Sequence, residues 1–120
     1  MGIHYTAGKI SEEIMRKLSY IILYKLKVPF NSKMISITNI ALSPDNKSAK
    51  VYVSVIEGKE IGDGVVKKLN NMKGVISRML LKSMYIKKVP VLTFVYDESI
   101  ERSVRMNRML DELMPHSGDE

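Results

Sequence analysis

The chain has 120 residues, no cysteine and a formal net charge of +6. Its length is that of one ordinary domain, which can bury enough surface to fold without disulfides or a metal. The absence of cysteine excludes a disulfide framework, thiol catalysis and cysteine metal sites. No apolar run reaches the roughly 20 residues that span a bilayer, and residues 1–8 lack a signal-peptide pattern. We therefore expect a cytoplasmic domain without a membrane partner.

The positive charge is concentrated in the first three quarters of the chain. Residues 1–90 contain 16 Lys or Arg against 6 Asp or Glu, a balance of +10, whereas residues 91–120 contain 3 against 7, a balance of −4. This asymmetry indicates a surface for a polyanion, followed by a segment that does not share it. A basic face that is only solvated is an equally good interpretation of the charge alone.

The first predicted element is a helix that begins at Ser11. Ser11 can cap the free N–H groups of the first turn, and the two carboxylates that follow it favour the positive end of the helix dipole. Apolar residues then recur at helical spacing as far as Ile22. Val28-Pro29 is predicted to end the helix, because the residue before proline avoids helical geometry.

Two strands come next. Residues 35–42 alternate in polarity, but the phase reverses near Thr38-Asn39, which predicts a β-bulge. Turn-forming residues 43–47 lead to residues 49–55, which alternate without interruption. The pattern predicts a hairpin with one buried face.

A helical period returns over residues 61–85 and is interrupted at Gly74. Glycine inside a helix costs about 1 kcal/mol relative to alanine, so Gly74 predicts a kink or break. Residues 91–96 are then predicted to form a third strand, and residues 99–113 a final helix.

We expect one domain over residues 9–113, with a flexible leader at residues 1–8 and a flexible tail at residues 114–120. No catalytic or cofactor motif is found in it. His4 and His116 lie near opposite ends, without partners at metal or triad spacing. We therefore expect no enzymatic activity, cofactor, metal or small-molecule substrate.

Cations on two predicted helices indicate where a polyanion would bind. On the first helix, Arg16, Tyr20, Tyr24 and Lys27 recur at helical spacing, and Lys17 adjoins them. Such a stripe can combine phosphate contacts with base stacking. Packing of both tyrosines against the sheet is at least as good an interpretation.

The second stripe follows the glycine break. Arg78 and Lys82 lie four residues apart, Lys73 precedes them, and Lys87-Lys88 come after them. A glycine beside a helix N-terminus allows an RNA backbone to approach exposed N–H groups. We predict that the cations Lys73, Arg78, Lys82, Lys87 and Lys88 bind RNA together with Arg16 and Lys17, and that Gly74 sets the kink.

The order of elements is that of a type II KH domain, an α+β fold with a three-stranded sheet packed against helices. The usual GXXG loop is reduced to Gly74 of Met72-Lys73-Gly74. Further motifs are Ile40-Ala41-Leu42-Ser43-Pro44-Asp45, Ala49-Lys50-Val51-Tyr52-Val53, Val89-Pro90-Val91-Leu92-Thr93-Phe94 and Asp97-Glu98-Ser99-Ile100. With them the chain resembles the ribosome-binding factor A (RbfA) family, in which a kink of the form Ala-x-Gly replaces the KH loop.

The resemblance covers residues 9–113, with three departures. Met72 stands where the family has alanine. Of the basic residues that the family has before the first helix, only Lys9 is present. Residues 27–30 lack the acidic residue and the arginine that are usual in the family.

The resemblance implies a bacterial ribosome assembly factor that acts as a monomer without a cofactor. It would bind free 30S small ribosomal subunits near the 5′ region of 16S rRNA, assist late maturation and rRNA processing, and matter most in the cold. One alternative is a protein–protein adaptor that binds an acidic partner through its basic, Met-rich helices. Another is a small RNA-processing enzyme.

Overall fold

The computed structural model describes residues 7–26, 30, 34–84 and 86–113. The helices and strands follow one another along the chain in the order predicted from the sequence. They are α1 (Ala7–Tyr20), a π-helical turn (Ile21–Lys25), β1 (Ile35–Leu42), β2 (Ser48–Val55), α2 (Lys59–Asn71), α3 (Lys73–Ser83), β3 (Val91–Tyr96) and α4 (Ser99–Leu113).

The three strands form one sheet in the order β1-β2-β3. The β1–β2 pair is antiparallel and the β2–β3 pair is parallel. The register of β1 shifts between Ile37 and Asn39, so the predicted bulge is confirmed and lies at Thr38. The fold is α+β and KH-like, as the order of elements predicted.

One face of the sheet and the inner sides of α1, α2, α3 and the π-helical turn form the core. The alternation in β2 buries Ala49, Val51, Val53 and Val55, and β3 contributes Leu92 and Phe94. The helices cover this face with apolar residues at helical spacing. The most deeply buried of these are Ile14, Leu18, Leu69, Ile76 and Leu80. Burial of these side chains is the main favourable contribution to folding.

An amide side chain fastens α2 to the edge strand. The Asn70 Nδ2 group donates to the Phe94 carbonyl oxygen at 2.9 Å, and the Phe94 N–H donates to Asn70 Oδ1 at 2.8 Å. Both polar backbone groups of Phe94 are thereby satisfied at the free edge of β3, where an unpaired strand would otherwise be open to aggregation. These two hydrogen bonds fix α2 against β3.

The predicted start of the first helix was wrong. Helix α1 begins at Ala7, so Ser11 lies inside it and does not cap it. The extra turn is stabilised by packing, because Ile10 is half-buried against the core. Residues 1–6 and 114–120 of the predicted leader and tail lie outside the described residues, and Ala7 and Gly8 of that leader are helical.

The end of this helix also differs from the prediction. Its α-helical part stops at Tyr20, and a π-helical turn continues to Lys25. The backbone is extended at Leu26. Val28 and Pro29, which were predicted to end the helix, lie outside the described residues.

The break between α2 and α3 lies at Met72, two residues before the predicted position. Met72 has φ −105° and ψ 8°, which is outside the helical region, and its carbonyl oxygen accepts from the N–H of Ile76 at 3.0 Å to start α3. The Met72 side chain packs against the core. Gly74 instead lies in the first turn of α3. The prediction that Gly74 forms the kink was therefore wrong about its position.

Candidate nucleic-acid interface

The outer side of α3 carries the two cations that the sequence placed four residues apart. Arg78 and Lys82 are exposed, whereas Ile76 and Leu80 on the same helix are fully buried. Val75 and Leu81 are also exposed beside the cations, at 38% and 42%. Because the apolar side of α3 is anchored in the core, the helix presents Arg78 and Lys82 to solvent on a rigid support.

Three further lysines extend this charge at the start of α3 and beyond its end. Lys73 is the exposed first residue of the helix, and Lys87 and Lys88 are exposed in the segment that follows it. We call these residues the α3 cations: Lys73, Arg78, Lys82, Lys87 and Lys88. Within the described part of the chain, none of the five forms an ion pair. Their charge is therefore available to an external anion.

Gly74 leaves open space at the start of α3. It is exposed, and a Cβ atom placed on it would meet no other atom within 4 Å. Neither packing nor backbone conformation requires glycine at this position. What the glycine provides is access, since a missing side chain lets a ligand backbone come near the free N–H groups of the first helical turn.

The two basic residues predicted on α1 share an acidic neighbour that sequence analysis missed. The Glu13 carboxylate forms an ion pair with the Arg16 guanidinium, and its Oε2 atom lies 3.9 Å from Lys17 Nζ. The Arg16 side chain is nevertheless 73% exposed, whereas that of Glu13 is only 15% exposed. These two cations are therefore partly neutralised within the protein, unlike the α3 cations.

A groove joins α1 to the end of α3. It has a volume of about 310 Å³ and is lined by Arg16, Lys17 and Tyr20 from α1 and by Ser83 from α3. Lys82 directly precedes Ser83 and is exposed. The structure thus brings the two predicted basic stripes to neighbouring parts of one surface, although they lie far apart in sequence.

Both tyrosines of the first stripe are exposed, so the interpretation that they pack against the sheet was wrong. Tyr20 is 53% exposed and Tyr24 is 69% exposed. Their ring centroids are 5.1 Å apart, and Lys25 Nζ lies 5.7 Å from the centroid of the Tyr20 ring. Lys27, the last member of the predicted stripe, lies outside the described residues.

Two acidic residues after β3, Asp97 and Glu101, form hydrogen bonds within the fold. The Thr38 hydroxyl donates to Asp97 Oδ2 at 2.5 Å, and the Ser99 N–H donates to Asp97 Oδ1 at 2.9 Å. These bonds, the Thr38 bond first, hold the pKa of Asp97 below its usual value. Burial, and then a 2.6 Å hydrogen bond to Glu101, raise the pKa of Tyr96 to about 12, so Tyr96 remains a donor.

The part of the chain that the structure describes contains neither a metal-binding cluster nor a membrane-spanning helix. Among the described residues, no three His, Asp or Glu side chains are close enough to hold a metal ion. Across the same residues, no helix is both long enough and apolar enough to cross a bilayer. His4 and His116 lie outside the described residues, so the expectations for them stay predictions.

The fold and this surface together define a class. The chain is an α+β domain of KH-like topology, with a break at Met72 between α2 and α3 and with exposed cations along α3. In domains of this class, nucleic acid lies along a groove beside the two helices that flank the break.

The chain belongs to the ribosome-binding factor A family, whose profile matches residues 6–110. It is 37% identical over 105 residues to ribosome-binding factor A of Agathobacter rectalis, a match that covers 88% of this chain and 87% of the relative.

Solved structures of the same family have the same fold. The crystal structure of ribosome-binding factor A from Thermus thermophilus matches with a TM-score of 0.66 and 21% identity, over 77% of this chain and 97% of that chain. A homology model of the Thermus thermophilus factor, fitted into a cryo-EM map of a 30S–RbfA complex, matches with a TM-score of 0.61 and 20% identity. That match covers 73% of this chain and 91% of the other.

Proposed function

We propose that this protein is a noncatalytic assembly factor that binds free 30S small ribosomal subunits near the 5′ region of 16S rRNA. It assists late maturation and rRNA processing in the cytoplasm. The observation that carries the proposal is the set of α3 cations, which are exposed and have no carboxylate partner among the described residues. Membership of the family supports it, because a relative has been fitted into a 30S complex.

The arrangement of charge explains how such a surface would work. Lys and Arg bind phosphates without regard to base sequence, which positions a protein on RNA. Arg78 and Lys82 would contact phosphates from the rigid helix, while Lys73, Lys87 and Lys88 would extend the contact at its two ends. Arg16 and Lys17 would join them across the groove. Binding of this kind requires no cofactor and makes no covalent bond.

A charge-reversal experiment tests the proposed surface. We expect the double variant Arg78→Glu and Lys82→Glu to lose co-sedimentation with purified small subunits, because repulsion from phosphate replaces attraction. The matched control is Lys47→Glu with Lys50→Glu, which changes the net charge equally at two exposed positions of the hairpin. Circular dichroism and thermal unfolding would show that both variants fold. Equal loss of binding in the two variants would reject α3 as the binding surface.

Salt dependence tests whether RNA is the target. Each phosphate that the protein neutralises contributes a slope of about 0.7–0.9 in a plot of log affinity against log salt. Contacts from the α3 cations, with Arg16 and Lys17, therefore predict a steep fall in affinity as salt is raised. A flat dependence, or binding that survives nuclease digestion of the RNA, would favour an adaptor with an acidic protein partner. Cleavage of precursor rRNA by the purified protein would instead establish an enzyme.

Growth temperature provides a test in the cell. Local RNA mispairings last longer in the cold, so a factor that assists maturation should matter most there. We expect loss of this protein to slow growth and to accumulate precursor 16S rRNA more at low temperature than at high temperature. A defect of equal size at both temperatures would contradict this part of the proposal.

A further inference from the structure

Two tyrosine rings stand exposed side by side where the first helix ends. Tyr20 and Tyr24 are 53% and 69% exposed, and Leu23 between them is 54% exposed. The two ring centroids are 5.1 Å apart, and the ring planes are tilted by 48°. Contiguous exposed apolar surface of this kind often marks an interaction site.

The π-helical turn keeps this surface in place. The Leu26 N–H donates to the Ile21 carbonyl oxygen at 3.0 Å, five residues back along the chain. Ile21 and Ile22 are buried, so one side of the turn is anchored in the core while residues 23–25 face outward.

Cations lie on the Tyr20 side of the aromatic pair. Lys25 Nζ lies 5.7 Å from the centre of the Tyr20 ring, and Tyr20 also lines the groove that contains Arg16 and Lys17. The same groove reaches Ser83 at the end of α3. A ligand that covers the rings therefore also passes several positive charges, which favours a polyanion over an apolar peptide.

We propose that Tyr24, supported by Tyr20, is a stacking site for one unpaired RNA base, whose flanking phosphates contact Arg16 and Lys17. The inference rests on the proposed RNA-binding function and deepens it by naming an unpaired nucleotide as the ligand. Bases in a duplex have both faces covered, so only an unpaired base has a free face to stack on a ring. Stacking also tolerates any base, because every base has a π-face.

The geometry assigns different roles to the two rings. Because their planes are tilted by 48°, a flat base cannot lie parallel to both at once. Tyr24 has the more exposed ring, whereas Tyr20 is already approached by Lys25. Tyr24 is therefore the stacking ring, and Tyr20 is a positioning residue that supports it from one side.

Oligonucleotide binding by the full-length protein tests the site. The probes are a single-stranded oligoadenylate and an abasic RNA strand of the same length, which has the phosphates but no bases. We expect Tyr24→Leu to weaken binding to oligoadenylate by about five- to 150-fold, the range for loss of one stacked base. Tyr24→Phe should retain binding, because it keeps the ring. Neither substitution should change binding to the abasic strand.

A neighbouring substitution provides the matched control. Leu23→Ala removes exposed apolar surface from the same turn without removing a ring, so it should leave binding to both probes unchanged. Thermal unfolding of each variant would show that the turn and the core are intact. If Tyr24→Leu weakened binding to the abasic strand equally, or if Leu23→Ala had the same effect, the stacking site would be rejected.

Binding to small subunits separates this inference from the function on which it rests. If reversal of Arg78 and Lys82 abolished subunit binding while Tyr24→Leu changed neither subunit nor oligoadenylate binding, the stacking site would be wrong and the proposed function would stand. If the unaltered protein bound neither subunits nor RNA, both would be rejected. Weaker subunit binding by Tyr24→Leu, restored in Tyr24→Phe, would support both.

Discussion

Glu13 reduces the positive charge that Arg16 and Lys17 on α1 offer to an external phosphate. Its carboxylate pairs with Arg16 and lies near Lys17, so an RNA phosphate has to compete with an internal partner. Exposed ion pairs of this kind are worth about 0.2–1 kcal/mol. That is too little to prevent binding, but enough to change an affinity measurably.

Replacing Glu13 should therefore strengthen RNA binding. We expect Glu13→Gln to raise the affinity for small subunits about two- to fivefold, because Arg16 and Lys17 lose their internal competitor. Glu12→Gln is the matched control, since it changes the net charge equally on an exposed residue that forms no ion pair with either cation. Fluorescence anisotropy with labelled subunits would measure both. Equal gains in the two variants would mean that only net charge matters.

Gly62 contributes to stability through a contact that no other residue permits. It is buried on α2 against the Tyr96 ring, and a Cβ atom on it would overlap the ring atoms Cδ1 and Cε1. The ring cannot move freely, because its hydroxyl donates to Glu101 Oε1 at 2.6 Å. The close approach of α2 to the end of β3 therefore depends on the absence of a side chain here.

Alanine substitutions at two glycines of α2 should have opposite effects. We expect Gly62→Ala to lower the free energy of unfolding by about 1–3 kcal/mol through overpacking against Tyr96. Gly64→Ala should raise it by about 0.5–1 kcal/mol, because no atom lies within 4 Å of the new Cβ and alanine favours the helix. Urea unfolding of both variants would measure the difference. A stabilising Gly62→Ala would contradict the packing argument.

At the level of secondary-structure elements, local pattern predicted the strands but not all of the helix ends. Alternating polarity in residues 35–55 located β1, β2 and the bulge at Thr38, because burial of one sheet face imposes a period of two. The start of α1 at Ala7 depends on packing of Ile10, which no local signal reveals. The π-helical turn likewise has no signature in its five residues.

Some features of the candidate site could likewise be predicted from the sequence, and others could not. Helical spacing correctly predicted that Arg78 and Lys82 are exposed on the outer face of α3. Gly74 marked the break to within two residues: the break lies at Met72, whose side chain packs against the core, and Gly74 lies in the first turn of α3. The ion pairs of Glu13 with Arg16 and Lys17 could have been predicted, because residues three and four apart are neighbours on a helix. The exposure of Tyr20 and Tyr24 could not, since it depends on how the end of the first helix lies against the rest of the fold.

Asp97 joins the bulge of β1 to the start of α4, and this link should depend on pH. The hydrogen bonds from Thr38 and the Ser99 N–H lower the pKa of Asp97 in the folded state below its ordinary value of 3.8. A carboxyl group with a depressed folded pKa contributes stability above its unfolded pKa. That contribution is lost as pH falls through the folded pKa.

We therefore expect Asp97→Asn to lower the melting temperature at neutral pH, by an amount that shrinks as pH falls below about 4. The ionised carboxylate accepts stronger hydrogen bonds than a neutral amide, so the loss is present only where Asp97 is charged. Thermal unfolding between about pH 2 and pH 7 would measure it. Asp111→Asn, at an exposed position of α4, is the matched control for the loss of one carboxylate. A pH-independent difference at Asp97 would contradict the argument.

On the scale of the whole molecule, α4 stands apart from the packed domain. Its residues 102–113 are all exposed, although the turn at Asp97 and the contact of Glu101 with Tyr96 fix where it starts. Met106, Met109, Leu110 and Leu113 recur at helical spacing and are 48–77% exposed. A helix of this length whose tertiary contacts are confined to its first turn is only marginally stable in water, because most helical stability in proteins comes from packing.

This separation predicts how hydrogen exchange is distributed over the free protein. We expect the backbone amides of residues 103–113 to exchange at rates close to those of an isolated peptide. Amides of α1 and α2, whose apolar sides lie in the core, should exchange only by global or near-global unfolding. Exchange followed by mass spectrometry at two protein concentrations would measure both regions. Strong protection of residues 103–113 at every concentration would show that α4 is packed within the monomer. Protection that grows with concentration would show that its apolar side pairs with a second copy.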